Sequence, residues 1–228
     1  MKILAIGAHP DDIEIFMAGF LFACKKLNHE VHVMIATNGA LGGKKTSDLT
    51  KKRYQETKQA LAELNDPIFL DLPDGYLGYE DEHQLIVKRN IENIKPDLVV
   101  THDINDYHSD HQMLSKMVSI AVSHYIPVMY CDTLMGLNFN PDYYVDITKY
   151  FKTKVRAILK HKSQNPQRFV ELAKMMNSYR AAQCNAPVGH FSECYKFRAS
   201  FPFGDIRELL PKPPKLRPFY IESIKGFL

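Results

Sequence analysis

Ile3-Leu4-Ala5-Ile6-Gly7-Ala8-His9-Pro10-Asp11-Asp12 is the stretch on which the fold turns. Its opening apolar run reads as a strand buried on both faces. An imidazole and two carboxylates stand where that strand must emerge. A second polar knot, Asn105-Asp106-Tyr107-His108-Ser109-Asp110-His111, follows another apolar run, Asp97-Leu98-Val99-Val100-Thr101-His102. Two His/Asp clusters, each at a strand exit, point to a metal site with a carboxylate to spare.

Working outward, residues 30–37, 68–70 and 128–131 join 2–7 and 97–102 as predicted strands, rich in apolar and β-branched residues. Helices are predicted between them. Residues 13–28 carry apolar side chains on more than one face, and 49–65 turn Tyr54, Ala60, Leu61 and Leu64 inward. Further helices cover 83–95 and start at 111. This alternation predicts an α/β fold, a Rossmann-like parallel sheet with helices on both faces and a 3-2-1-4-5 core order. That order makes strands 1 and 4 neighbours at the point where the winding reverses, and ligands bind outside the carboxyl ends of such strands. Topology therefore brings the two polar clusters together.

After residue 148 the pattern changes. A helix over about 148–162, with the stripe Phe151, Val155, Ile158 and Leu159, leads into a helical segment to about 182. Prolines at 202, 211, 213, 214 and 218 prevent a regular helix in the extension 201–228. Its last apolar residues, Phe219 to Leu228, are expected to pack on the domain or on a neighbouring subunit. The 228 residues suffice for one well-buried domain, 1–228, and nothing requires two. A net charge of +3 gives no warrant for nucleic-acid binding. Cys24, Cys131, Cys184 and Cys194 lack paired spacing and read as reduced thiols. The first residues do not read as a signal peptide, and the run Phe16–Cys24 falls far short of the ~20 residues of a membrane span. A cytoplasmic, soluble protein is expected.

His9, Asp12 and His111 offer two imidazoles and a carboxylate, a set that suits Zn²⁺ with one position left open. A lone histidine in each place would read as a core or capping residue; two knots meeting at one crevice favour a site. If Asp12 ligates, Asp11 points elsewhere and is free to act as a base, although one aspartate could instead cap the following helix. Asp110 is expected to pair with His108 and favour its protonated form. Gly39, Gly42 and Gly43 fit neither the dinucleotide nor the P-loop spacing. Lys44-Lys45 and Lys51-Lys52-Arg53 read as a solvated loop and helix start that could also meet an anionic group. Histidines 29, 32, 83, 102, 124, 161 and 190 show no partner sets and receive no role.

With both clusters in view, the chain resembles the PIG-L/LmbE-like family of zinc-dependent N-acetylglucosamine de-N-acetylases. Ala8-His9-Pro10-Asp11-Asp12-Ile13-Glu14 and Asn105–His111 carry the resemblance. Support comes from Thr37-Asn38-Gly39, Arg53-Tyr54-Gln55-Glu56, Leu72-Pro73-Asp74-Gly75, Tyr144-Val145-Asp146-Ile147, Lys160-His161-Lys162-Ser163-Gln164 and Phe191-Ser192-Glu193. The resemblance implies His9, Asp12 and His111 as zinc ligands and Asp11 as general base. It also implies His108 facing the oxyanion, oriented by Asp110, and Arg53 near the sugar. The implied reaction removes the N-acetyl group of a small amino-sugar substrate by attack of metal-activated water. The alternative is a zinc amidase cutting a larger amide of an amino-sugar conjugate; a sugar- or nucleotide-binding module without catalysis is the rival from another class. Related proteins form trimers or hexamers, so a homo-oligomer is implied. One departure stands out. Where the family has roughly Ile-Gly-Cys-Gly-Gly-Thr, this chain has Ile15-Phe16-Met17-Ala18-Gly19-Phe20, whose bulk is expected to push the first helix outward or repack the region beside the site.

Overall fold

In the computed structural model, which describes residues 1–43, 48–201 and 203–215, the five apolar runs form parallel strands β1 (Lys2–Gly7), β2 (Glu30–Thr37), β3 (Ile68–Leu72), β4 (Leu98–Thr101) and β5 (Val128–Cys131). Between them lie α1 (Asp12–Phe16), α2 (Ala18–Lys26), α3 (Leu49–Ala60), α4 (Asp81–Ile94) and α5 (Ser109–Val122). The chain continues through β6 (Tyr143–Asp146), α6 (Phe151–Ile158), α7 (Pro166–Gln183) and β7 (Ser192–Arg198). The sheet order is β3-β2-β1-β4-β5-β7-β6. Its first five strands follow the expected 3-2-1-4-5 winding, and β7 runs antiparallel to both β5 and β6.

Both faces of β1 are buried, which is why it reads as an unbroken apolar run rather than an alternation. Ile3 and Ala5 pack with Val31, Val33, Ile35 and Val100 under α1, α2 and α6. Leu4 and Ile6 face the other way, with Met34 and Val99, against Val87 and Ile91 of α4 and Leu114, Met117 and Val118 of α5. Each fully buried side chain of this kind stabilises the fold by roughly 1.5–3 kcal/mol.

Several boundaries differ from the sequence expectation. The segment 13–28 is two helices, because Met17 adopts φ −130° and ψ −12° and breaks the run. The helix expected over 148–162 is confined to Phe151–Ile158. The next begins at Pro166, whose fixed φ suits a first helical position, behind Asn165 at φ 48°. Strands β6 and β7 were not expected at all. Of the Pro-rich extension, the described part is irregular apart from a 3₁₀ turn at Arg207–Leu209. It docks through buried Leu210 and through Asp146 N–H donating to the Lys212 carbonyl at 2.9 Å. The packing expected of Phe219–Leu228, and Lys44-Lys45 of the basic run, lie outside the described residues. Among the described residues no helix is long and apolar enough to cross a membrane.

Candidate active site

β1 and β4 are neighbours, so the chain leaving Gly7 and the chain leaving Thr101 emerge side by side. Thr101 Oγ donates to the Ile6 carbonyl at 3.0 Å and fastens the two exits. Beyond β1 the backbone N–H groups of Asp11 and Asp12 both donate to the His9 carbonyl, at 3.0 and 3.2 Å. The resulting turn opens directly into α1. Asp11 occupies the N-cap position, but its side chain caps no helix N–H. Its backbone, at φ 152°, lies where a non-glycine residue is strained by roughly 1–3 kcal/mol. The carboxylate is thereby left for other work.

His9, Asp12 and His111 meet at one point. His9 Nδ1 lies 3.4 Å from Asp12 Oδ2, and His111 Nε2 lies 3.3 Å from Asp12 Oδ1 and 3.3 Å from His9 Nδ1. Zinc bonds of ~2.0–2.1 Å place tetrahedral donor atoms about 3.3–3.4 Å apart; the two imidazole nitrogens have that spacing, and each faces a different oxygen of the Asp12 carboxylate. The outer nitrogen of each histidine faces carboxylates. His9 Nε2 is 3.1 Å from Asp110 Oδ2 and 3.2 Å from Asp74 Oδ1; His111 Nδ1 is 3.2 Å from Asp106 Oδ2, though not aligned as a hydrogen bond. Carboxylates behind ligating imidazoles are the usual support of a metal site.

The electrostatics point the same way. Burial would raise the carboxyl pKa values, yet the neighbouring imidazoles and N–H donors hold Asp12, Asp74, Asp106 and Asp110 below the usual range. Burial would lower the imidazoles, but these same carboxylates push His9 up and His111 up to about 9. Four buried carboxylates around two imidazoles demand positive charge where the three donors converge.

Three members of this cluster received no role in the sequence. Asp74 and Asp106 support the two histidines. His102, fully buried, places Nε2 3.1 Å from Asp12 Oδ2 and stacks on His111 with ring centroids 3.7 Å apart. A lone histidine at a strand end carries no sign of such partners. Asp74 and Asp106 had a signal, in Leu72-Pro73-Asp74-Gly75 and in the knot Asn105–His111.

One expected pairing is corrected. Asp110 does not hold His108: its carboxylate faces His9 and accepts from Gly75 N–H at 2.8 Å and Leu77 N–H at 3.3 Å. Only the backbone N–H of Asp110 reaches His108, donating to Nδ1 at 3.2 Å as α5 begins. That bond leaves Nε2 to carry the ring proton. Burial, aided by the charges of His9 and His111, lowers the His108 pKa, so the ring is a neutral donor rather than the expected cation. Arg53, which the resemblance places near the sugar, lines the pocket and is buried, with both terminal nitrogens hydrogen-bonded. Nη1 donates to the Gly39 carbonyl at 2.8 Å; Nη2 donates to the Pro10 carbonyl at 3.0 Å and to Asp11 Oδ1 at 3.1 Å. This explains two of the three glycines. A Cβ at Gly39, which also has φ +63°, would lie 2.7 Å from Nη1, and one at Gly42 would overlap the guanidinium. They clear a seat for Arg53.

Burial pushes Asp11 up to about 6, against the opposing pull of Arg53. Behind it lies a second buried pair, with His161 Nε2 2.9 Å from Glu14 Oε1. Burial would lower the His161 pKa, but Glu14 prevails and raises it.

His9, Asp11, Asp12 and His111 line a pocket of about 280 Å³. Its lining is mixed: Arg53, Asp74, His108 and Gln164 add polar groups, and Ile15, Phe16, Leu134 and Phe169 add apolar ones. The sheet order and this constellation define a Rossmann-like protein with a His/Asp cluster able to hold a metal ion and a further carboxylate, Asp11, beside it. Residues 4–122 match the PIG-L family, described as GlcNAc-PI de-N-acetylase, and the chain belongs to that family. It is 27% identical over 197 residues to the diacetylchitobiose deacetylase of Thermococcus kodakarensis, covering 75% of this chain and 73% of that protein. The N,N'-diacetylchitobiose deacetylase of Pyrococcus horikoshii superposes with a TM-score of 0.75 at 22% identity, over 86% of this chain and 83% of that one. So does GalB, the 4-carboxy-2-hydroxymuconate hydratase of Pseudomonas putida KT2440, at 0.75 and 18% identity over 86% and 95%. At such identities the two structures establish the shared fold, and this fold also carries a hydratase.

Proposed function

We propose that the protein is a zinc-dependent N-deacetylase of N-acetylglucosamine-type substrates. The convergence of His9, Asp12 and His111 within 3.4 Å, beside an unligated Asp11, carries this reading. Family membership and the deacetylase relative support it. His9, Asp12 and His111 would hold the ion, with Asp74, Asp106, Asp110 and His102 fixing their orientation. Bound there, Zn²⁺ would polarise an amide carbonyl and lower the pKa of water from ~15.7 towards ~7.

The rest is work for this chain's own side chains. Asp11 accepts the proton of the attacking water at its carboxylate; with a pKa raised to about 6 it is mostly ionised at neutral pH yet basic enough to take that proton. Arg53 holds Oδ1, so the base keeps one orientation. Neutral His108 donates from Nε2 towards the oxygen that gains negative charge. Asp11 then returns its proton to the amine as the C–N bond breaks. One amide and one water become acetate and a free amine. The test is amine release from a panel of N-acetylglucosamine conjugates, on zinc-loaded and chelator-treated protein. Zinc-dependent release is the expected result, and no release from stoichiometrically loaded protein would refute the assignment.

A further inference from the structure

Phe16 is one of the apolar residues that line the pocket. Phe16 is 7% exposed and stands edge-on to the metal-side histidines, its ring centroid 6.0 Å from that of His102 and 6.2 Å from that of His111. Met17 and Ala18 behind it are fully buried, and every residue of α1 is buried. On the side away from the pocket the ring is therefore packed against buried neighbours. Ile15, Leu134 and Phe169 line the same pocket, together with carboxylates, an imidazole and an amide.

An N-acylated amino sugar has one end without any hydrogen-bonding group, the alkyl part of its acyl chain. The sugar hydroxyls match the polar groups of the lining, and the alkyl end matches the apolar ones. With the carbonyl oxygen turned to the point where the three donors converge, the alkyl group fits against Phe16, which lines the same pocket. We propose that Phe16 closes the acyl end of the pocket and restricts the substrate to short acyl groups, formyl or acetyl. This rests on the amide-hydrolase reading above and sets aside the larger amide that the sequence left open.

The experiment follows amine release from N-formyl-, N-acetyl-, N-propionyl- and N-butyryl-glucosamine by the zinc-loaded wild type, Phe16→Leu and Phe16→Ala, with melting temperatures recorded. Wild-type kcat/KM is expected to fall roughly tenfold or more for each methylene beyond acetyl, within the ~10–200-fold that one methylene decides in a closed pocket. The butyryl-to-acetyl ratio should rise at least about tenfold in Phe16→Ala and by less in Phe16→Leu. Wild type accepting butyryl within about threefold of acetyl would overturn the proposal, as would an unchanged ratio in a folded variant that still releases acetate. If Phe16→Ala does not fold, the wild-type series and Phe16→Leu decide. Release of no amine from any member would bring down the hydrolase reading together with this one, whereas indiscriminate release removes only the acyl restriction.

Discussion

Asp11 and Asp12 are adjacent in sequence and opposite in circumstance. Asp12 accepts from His9 N–H at 2.7 Å and faces His102 and His111, which hold its pKa down; Asp11 is raised by burial and touches Arg53. Asp11→Asn should therefore leave zinc stoichiometry intact while lowering kcat by ~10²–10⁴-fold, as loss of a general base does. Elemental analysis beside steady-state rates checks this, and near-wild-type turnover would remove Asp11 from the role. The glycines offer a second contrast. Gly42→Ala should displace Arg53 and reduce kcat, whereas Gly43→Ala, whose Cβ would meet nothing nearer than Leu49 Cδ2 at 3.8 Å, should leave kcat near wild type. Equal effects from both would deny Arg53 its positioning role. Sequence showed the clustered residues His9, Asp11, Asp12 and His111 because each strand exit gathers them locally. It hid His102 and His161 because their partners, Asp12 and Glu14, approach only through the fold. It misassigned Asp110 because chain proximity to His108 suggested a pairing that the turn into α5 does not make.

At the scale of elements, α2 begins without a capping side chain of its own. Its first N–H groups are satisfied from β7: Gly19 and Phe20 donate to the two Glu193 oxygens at 2.9 and 2.8 Å. Buried Lys154 of α6 neutralises that carboxylate at 2.6 Å, and Tyr195 OH donates to it at 2.8 Å. A Cβ at Gly19 would lie 2.7 Å from Ile147 Cγ2, so the helix end is seated against the chain after β6, not pushed outward. The bulk of Phe16 is taken up beside the metal-side histidines instead. Lys154→Met should leave Glu193 charged and unpaired in the interior, costing about 3–5 kcal/mol in urea unfolding. A loss below about 1 kcal/mol would mean that the N–H and hydroxyl donors suffice alone. The same residues explain which strands were legible. β1, β4 and β5 are short apolar runs buried almost throughout, a pattern that composition reveals, and the half-buried edge strand β3 still opens with the apolar run Ile68-Phe69-Leu70. β7 carries Glu193 and Lys196 among Cys194, Tyr195 and Phe197, because its polar side chains serve α2 and Asp103, and that mixture conceals a strand.

For the molecule as a whole, stability should depend on pH through His161 and on zinc through the strand order. His161 faces Glu14, Asp11 and Glu56, and its folded pKa lies above the ordinary 6.5. The folded state then binds the proton more tightly than the unfolded state. Its contribution is complete below pH 6.5 and fades as pH rises through the folded value. The gap in unfolding free energy between wild type and His161→Gln should narrow over that rise; a gap that widens would reverse the sign of the pairing. Zinc acts on a different seam. His9 and Asp12 follow β1, while His111 lies on α5 beyond β4, so an ion held by all three joins the two halves of the sheet where the winding reverses. The unfolded chain has no such convergence, so binding favours the folded state, by about 2.7 kcal/mol at a free concentration one hundred times Kd. For a chain of this size that corresponds to a Tm rise on the order of 5–10 °C. Asp11→Asn should keep the rise although it loses turnover, and His111→Ala should lose both. Calorimetry with and without a chelator separates the cases: a full rise in His111→Ala would place the ion away from this seam, however the rates behaved.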